Sequence, residues 1–401
     1  MTEKVFVTGA GMISAIGVGL DETLNSLITG KSGIEKIVHL NTEHKDLPVG
    51  EVKCSNAKLS QILGTGFPES ELRTVLLGIM AAREAVSNAR LTEELIKNSI
   101  FISGTTVGGM DLTEKYFGKV LKDPESINDV HKLKYNDCGY SSSMIADAIG
   151  KFRMVTTPST ACSSAANAII LGAELIKSGL ADIVVAGGTE ALTVFHLNGF
   201  NSLMILDKSR CRPFDQDREG INLGEGAAYL VLESESSMMR RQAQPYAELK
   251  GYANSCDAFH QTASSENGEG AYLSMTQAMK MAGLQPSDID YINAHGTGTQ
   301  NNDETELKAM KRIWGQNLPP FSSTKAMTGH ATSAAGALEA VISILALNNS
   351  FMPANLGWQK EMEEGIRPIV RVTKNKDIKN IITNSFGFGG NDSTLIFSKV
   401  Q

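Results

Sequence analysis

Short apolar, β-branched runs alternate along the chain with longer segments whose apolar residues recur every three or four positions. The runs Lys4–Thr8, Ser99–Ser103, Ile183–Ala186, Ala227–Leu232, Tyr291–Asn293, Ile381–Asn384 and Leu395–Ser398 read as strands. The segments Arg73–Ala89, Ser163–Ser178, Tyr272–Met281, Asp303–Ile313 and Ser333–Asn348 carry spacing near 3.6 and predict helices. Strands interleaved with helices predict an α/β fold with buried sheets. No low-complexity tract or short-period repeat interrupts the alternation. The polar stretch SESSMMRRQAQ at 234–244 offers the best boundary, dividing the chain into halves 1–239 and 240–401. No flexible linker lies there, so the halves are expected to pack as one body.

Composition narrows the class. The chain has 401 residues, 42% hydrophobic and 20% charged, which excludes a disordered protein and allows two or three structural units. With 37 basic against 44 acidic side chains the net charge is −7, which argues against a general nucleic-acid binder. No apolar stretch approaches the ~20 residues that span a bilayer. The opening MTEKVFVTGAG shows no charged-then-apolar leader. Five widely spaced cysteines without a CxxC pair make neither a disulfide framework nor a zinc site. A soluble cytoplasmic protein is expected, with no membrane partner.

Two Gly-containing segments invite a nucleotide reading and do not sustain it. In Thr8-Gly9-Ala10-Gly11-Met12-Ile13-Ser14 a dinucleotide fingerprint would need Gly where Ser14 stands, and no acidic residue closes a second strand. Gly30-Lys31-Ser32 has Asn25 where a phosphate loop would begin. Both are expected to be structural turns.

The segment Thr156–Asn167, TTPSTACSSAAN, joins a strand-like run to a long helix of small residues. Pro158 keeps the helix from starting earlier. Cys162 therefore falls at a helix start, where the dipole and unpaired N–H groups favour a thiolate and a sharp turn exposes a nucleophile. A buried cysteine acting as a small hydrophobe is the competing reading. His295, in Asn293-Ala294-His295-Gly296-Thr297-Gly298-Thr299, and His330, in Lys325-Ala326-Met327-Thr328-Gly329-His330, both sit in Gly/Thr turns. A thiolate with two histidines suits acyl transfer followed by enolate chemistry, because imidazole N–H groups stabilise an oxyanion. Neither helical spacing nor an acidic cluster supports a metal there. The remaining histidines, His39, His44, His131, His196 and His260, read as solvated or structural. Asn384-Ser385-Phe386-Gly387-Phe388-Gly389-Gly390-Asn391 is either a hairpin with buried Phe or a mobile loop completing an oxyanion hole.

These motifs resemble the β-ketoacyl-[acyl carrier protein] synthases, in particular the elongating Cys-His-His class of the thiolase superfamily. The resemblance runs from VFVTGAGMIS through TACSSAANAI, VVAGGTEA, CRPFDQDREGINLGEGAAYLVLE, NAHGTGT and STKAMTGHATSAAGALEA to NSFGFGGND. It implies a thiolase-like five-layered αβαβα fold built from two duplicated halves. It implies that Cys162 takes an acyl chain from an acyl carrier protein, and that His295 and His330 promote decarboxylation of a malonyl thioester. Lys325 and Glu306 would support the site, and the N–H groups of Cys162 and Phe388 would form the oxyanion hole. Val107, Phe386 and Phe388 would line or gate the acyl pocket, and Glu339 matches a structural glutamate. No ATP, nicotinamide or metal cofactor is required by this chemistry. The partners implied are acyl- and malonyl-loaded carrier protein and a dimer mate, identical or related, with no nucleic acid.

The chain also departs from that pattern. Gly298 stands where Ser is frequent, Gln300-Asn301-Asn302 follow, and Asn391 stands where Thr is common. Ahead of Arg73–Ala89, where relatives often carry several basic residues for the acidic carrier, this chain has Glu69, Glu71 and only Arg73. Arg210, Arg212 and the pair Arg240/Arg241 are alternative docking candidates, or simply a solvated face. The departures point to a specialised pathway, such as a polyene or polyketide, beside fatty-acid elongation. A non-catalytic chain-length subunit would lack the nucleophile, and a thiolase would need a second cysteine beyond Cys256.

Overall fold

The computed structural model describes residues 3–64, 72–123, 133–363 and 365–400; Glu69, Glu71 and His131 lie outside them. The strand-like runs become β1 (Val5–Ser14), β2 (Ile100–Gly104), β3 (Met154–Thr156), β4 (Ile183–Glu190) and β5 (Gly226–Ser234). The second set is β6 (Ala247–Cys256), β7 (Tyr291–Asn293), β8 (Phe321–Ser322), β9 (Asn380–Gly387) and β10 (Asn391–Ser398). Seven helices frame the site: α1 (Arg73–Asn88), α2 (Cys138–Ile149), α3 (Ser164–Lys177), α4 (Val194–Ser202), α5 (Glu269–Ala282), α6 (Gln300–Trp314) and α7 (Ala335–Asn348).

Across the sheet the order is β8-β7-β9-β10-β6-β1-β5-β4-β2-β3. It reads the same from either end. In one half β3, β2 and β4 run parallel, followed by antiparallel β5 and β1. In the other, β8, β7 and β9 run parallel, followed by antiparallel β10 and β6. Within the sheet the halves pair through β1 and β6, at Phe6↔Glu248 and Val7↔Ala247.

Successive strand residues face opposite sides, and the apolar ones sort accordingly. Ile100, Ile102, Val184, Ala186, Leu230, Leu232, Ile381, Leu395 and Phe397 face a central core shared with α3 and α7. Phe101, Ile183, Val185, Tyr229 and Val231 face the outer pair α1 and α2. On the other flank Ile292, Ile382 and Ile396 face α5 and α6. The result is the expected αβαβα stack. Helix α7 is buried at every position from Ala335 to Leu347, which is why its sequence is apolar on every face apart from Glu339 and Ser343.

Two expectations need correction. Thr8–Ser14 is not a turn but the body of β1, with a register shift between Val7 and Gly9 against β5. Its glycines serve packing: a Cβ on Gly9 would lie 2.3 Å from the Ala85 carbonyl oxygen, and one on Gly11 2.3 Å from that of Ala81. Gly30 does end the helix Leu20–Thr29 in a left-handed conformation at φ 68°. Arg73 is not a docking residue. It is buried, with Nη2 2.6 Å from a Glu225 carboxylate oxygen and further bonds to the Val52 and Cys54 carbonyls. Arg241 is held in the same manner, 2.6 Å from Glu233, while Arg240 pairs with Asp182 at 3.0 Å.

Candidate active site

Three turns at strand ends converge on one cavity of about 340 Å3, lined by Cys162, His295, His330, Phe386 and Phe388. The first turn leads from β3 into α3. Ala161, at φ 51°, adopts the left-handed conformation. The Ser164 hydroxyl closes the turn by donating to the Ala161 carbonyl at 2.6 Å and accepting from Thr160 N–H at 2.9 Å. Cys162 is thereby presented at the helix start but remains buried. Burial pushes its thiol up to about 11, against the pull of the Lys325 charge and of the backbone N–H groups of Phe388 and Cys162. The resting group is thus a thiol, because desolvation outweighs the helix-start effect expected from the sequence.

The second turn follows β7. Gly296 at φ 38° and Gly298 at φ 86° allow the chain to fold back. Glu306 on α6 accepts the His295 N–H at 2.9 Å, the Gly296 N–H at 2.8 Å and the Asn384 amide at 3.0 Å. Asp303, one turn earlier, accepts the N–H groups of Phe214 at 2.7 Å and Gly298 at 3.1 Å. Both carboxyls are buried. Burial raises the Glu306 carboxyl to about 7.

The third turn follows β8. Lys325, 1% exposed, places Nζ 3.2 Å from Nδ1 of His295 and pairs with the Glu339 carboxylate on α7. Burial raises the Glu339 carboxyl to about 7 against the pull of the Lys325 ammonium, with the Glu306 charge adding to the rise. His330 is fixed through its backbone, donating to the Asn222 carbonyl at 2.8 Å and accepting from Gly224 N–H at 2.9 Å. The two imidazoles meet edge to face, centroids 5.3 Å apart at 84°. Burial and the Lys325 charge hold both well below 6.5, so both rings are neutral. Because Lys325 donates to Nδ1, that nitrogen of His295 is an acceptor and Nε2 carries the proton.

The hairpin joining β9 to β10 closes the cavity. Its connection, Phe388-Gly389-Gly390, needs φ of 86° and 79° at the two glycines. The Phe388 ring stacks on Phe200 at 5.8 Å and 19°. Val107 does not line this cavity, and Glu339 reaches it through Lys325. Val107 follows Thr105 and Thr106, whose hydroxyl and N–H respectively donate to the Glu190 carboxylate. Sequence reasoning missed Phe200, whose stacking carried no local signal, and Asn384, which lay inside a quoted motif. His196, read from the sequence as solvated or structural, is buried and bonds Thr193 Oγ1 at 3.0 Å, and burial lowers its ring below the ordinary value. Among the described residues no group of three or more His, Cys, Asp or Glu side chains is arranged to hold a metal, and no helix is long and apolar enough to cross a membrane.

A fold of this layering carrying Cys and two His at strand ends is that of the ketosynthases. A solved ishigamide ketosynthase/chain length factor superposes with TM-score 0.93 at 32% identity over all of both chains. A type II polyketide ketosynthase, solved in complex with its acyl-carrier protein and bound to the hexaketide, gives 0.90 at 27%, again over all of both. The 3-oxoacyl-[acyl-carrier-protein] synthase 2 of Staphylococcus aureus strain COL is 33% identical over 413 aligned positions, covering 100% of this chain and 99% of its own. The N-terminal domain of the β-ketoacyl synthases matches residues 2–237 and their C-terminal domain 246–359. The chain belongs to the β-ketoacyl synthase family.

Proposed function

We propose that this chain is an elongating 3-oxoacyl-[acyl-carrier-protein] synthase, an acyltransferase of fatty-acid or polyketide synthesis. The observation that carries the reading is the meeting of the Cys162 thiol with two neutral imidazoles in one buried cavity. The Cys162 sulfur attacks an acyl-carrier thioester. A sulfur–carbon bond forms on Cys162, the carrier's sulfur–carbon bond breaks, and the thiol proton leaves with the carrier thiol. The N–H groups of Cys162 and Phe388 hold the oxyanion. A malonyl thioester then places its carbonyl oxygen against His295 and His330, whose N–H groups stabilise the enolate left as CO2 departs. The enolate carbon attacks the Cys162 thioester, the new carbon–carbon bond displaces sulfur as a thiolate that takes a proton from solvent to restore the thiol, and the chain is longer by two carbons. Loss of CO2 drives the step, and the reading requires no cofactor. Lys325 and Glu306 act as positioning residues, through His295.

In this reading Phe386 and Phe388 gate the acyl chain, and Val107 is assigned to the lining of the acyl pocket. The partner is an acidic carrier protein, loaded with acyl or malonyl groups. Arg210 and Arg212 lie in the segment between Leu203–Ile205 and Glu219–Ile221, both of which line the cavity, which favours them over Arg240 and Arg241 for docking. The chain pairs with itself or with a related subunit, works in the cytoplasm, and divides at 239/240. The test is condensation of acyl- with malonyl-carrier protein by the wild type and by Cys162→Ala and His330→Ala. Cys162→Ala is expected to remain folded and lose acyl loading; His330→Ala is expected to lose CO2 release. Full activity in either variant would overturn its assigned role.

A further inference from the structure

The two N–H groups assigned to the oxyanion hole belong to different halves of the molecule. Cys162 sits at the start of α3, whereas Phe388 sits in the connection between β9 and β10. Their separation is set by how the hairpin rests on the helix, and two residues at the hairpin base make that contact. Gly387 pairs with Asn391 across the base. At Gly387 a Cβ would lie 2.9 Å from the Thr160 carbonyl oxygen and 3.1 Å from Ser163 Oγ, so the bare Cα lets the strand close onto the Cys162 turn. At Asn391 the carboxamide oxygen receives Asn167 Nδ2 at 2.7 Å and Asn254 Nδ2 at 2.7 Å, and lies 2.8 Å from the Ser163 hydroxyl. Ser163 adjoins Cys162, and Asn167 lies one turn further along α3. Ser393, two residues on, lies within hydrogen-bond reach of the same two amides at 3.0 and 2.9 Å.

We propose that Asn391 is a positioning residue for acyl transfer, its side-chain oxygen locking the Phe388 hairpin to the helix that carries Cys162. The inference rests on the proposed function above and concerns only one of its two half-reactions. Acyl transfer needs the N–H groups of Cys162 and Phe388 in register. Decarboxylation needs the imidazoles of His295 and His330, which are held by Glu306, Lys325 and Asn222 and make no contact with Asn391. A loosened hairpin therefore harms the first step and spares the second. A general loss of folding harms both.

The experiment compares Asn391→Leu, which keeps the size and removes the acceptor, with Asn391→Asp, which keeps an acceptor oxygen. Each is assayed for acylation of Cys162 by acyl-carrier protein and, separately, for CO2 release from malonyl-carrier protein. Removing an oxyanion donor outright costs ~10²–10³ in rate, so misplacing one is expected to slow acylation by the leucine variant at least ~10-fold. Its CO2 release should stay within about two-fold of wild type, and the aspartate variant should recover most of the acylation rate. If the leucine variant fails to fold, Asn167→Ala removes a donor from the same oxygen and should produce the same split. Equal losses in both steps, or unchanged acylation, would overturn the proposal. A wild type inactive in both assays would contradict the reading of the site itself, and the inference with it.

Discussion

Nζ of Lys325 lies 3.2 Å from Nδ1 of His295 while the same ammonium is ion-paired with Glu339. One buried cation therefore sets the tautomer of a catalytic ring and is itself held by a carboxylate on α7. Lys325→Met frees Nδ1 to take the proton and turns Nε2 into an acceptor. CO2 release from malonyl-carrier protein is expected to fall ~10²-fold, the low end of what a positioned proton donor supplies. Imidazole 15N shifts should show the tautomer change. The variant also strands Glu339, a loss of ~3–5 kcal/mol for a broken buried pair. Adding Glu339→Gln should restore stability without restoring rate.

Cys162 is expected to alkylate as a buried thiol. With its ionisation pushed up to about 11 by burial, the thiolate fraction rises about tenfold per pH unit through the neutral and mildly alkaline range. Iodoacetamide labelling followed by mass spectrometry should still be accelerating at pH 9. A plateau below that would mean that the helix-start N–H groups outweigh desolvation after all.

Asp392, just beyond the gating hairpin, supplies a pH signature. Burial, then Asp257 and Glu306, raises its carboxyl from 3.8 to about 8. The folded chain thus keeps a proton that the unfolded chain releases above about pH 4. Stability from this group is complete below the unfolded value and is lost as pH rises through 8. Asp392→Asn should therefore match the wild type near pH 4 and exceed it increasingly up to about pH 8, by an order of a few kcal/mol. Urea denaturation across that range measures the difference; a gap that shrinks with pH would refute the assignment.

The glycines of β1 yield a prediction about packing. Gly11→Ala sets a methyl 2.3 Å from the Ala81 carbonyl oxygen and 2.6 Å from the Ala85 nitrogen, both in α1. Overpacking of this kind costs ~1–3 kcal/mol. Thermal melts should show the loss.

The reactive residues were legible because each sits beside a turn built on a small residue at positive φ: Ala161 at φ 51°, Gly296 at φ 38°, Gly329 at φ 72°. What a linear reading could not supply was partnership. Asp303 and Glu306 look like a solvated face until Phe214, His295 and Gly298 are folded against them. Arg73 looks like a surface cation until Glu225, 152 residues later, comes to meet it. The duplication was implied by the family resemblance but invisible in the residues themselves for a related reason. Cys162 before α3 and His330 before α7 hold equivalent places in the two halves, but the equivalence resides in strand order and layering. The side chains themselves have diverged to different chemistry. Likewise Gly9 and Gly11 look like a loop because a strand's need for close helix contact leaves the same mark as a turn.

The central claim is that Cys162 is the acyl acceptor and that its acyl group is consumed by decarboxylative condensation. Mass spectrometry of the Cys162 peptide, before and after malonyl-carrier protein is added to enzyme exposed to acyl-carrier protein, tests it most directly. The account predicts an acyl adduct on Cys162 that disappears as CO2 and a 3-oxoacyl-carrier product two carbons longer are formed. An unmodified Cys162, or an adduct that malonyl-carrier protein leaves in place, would contradict it.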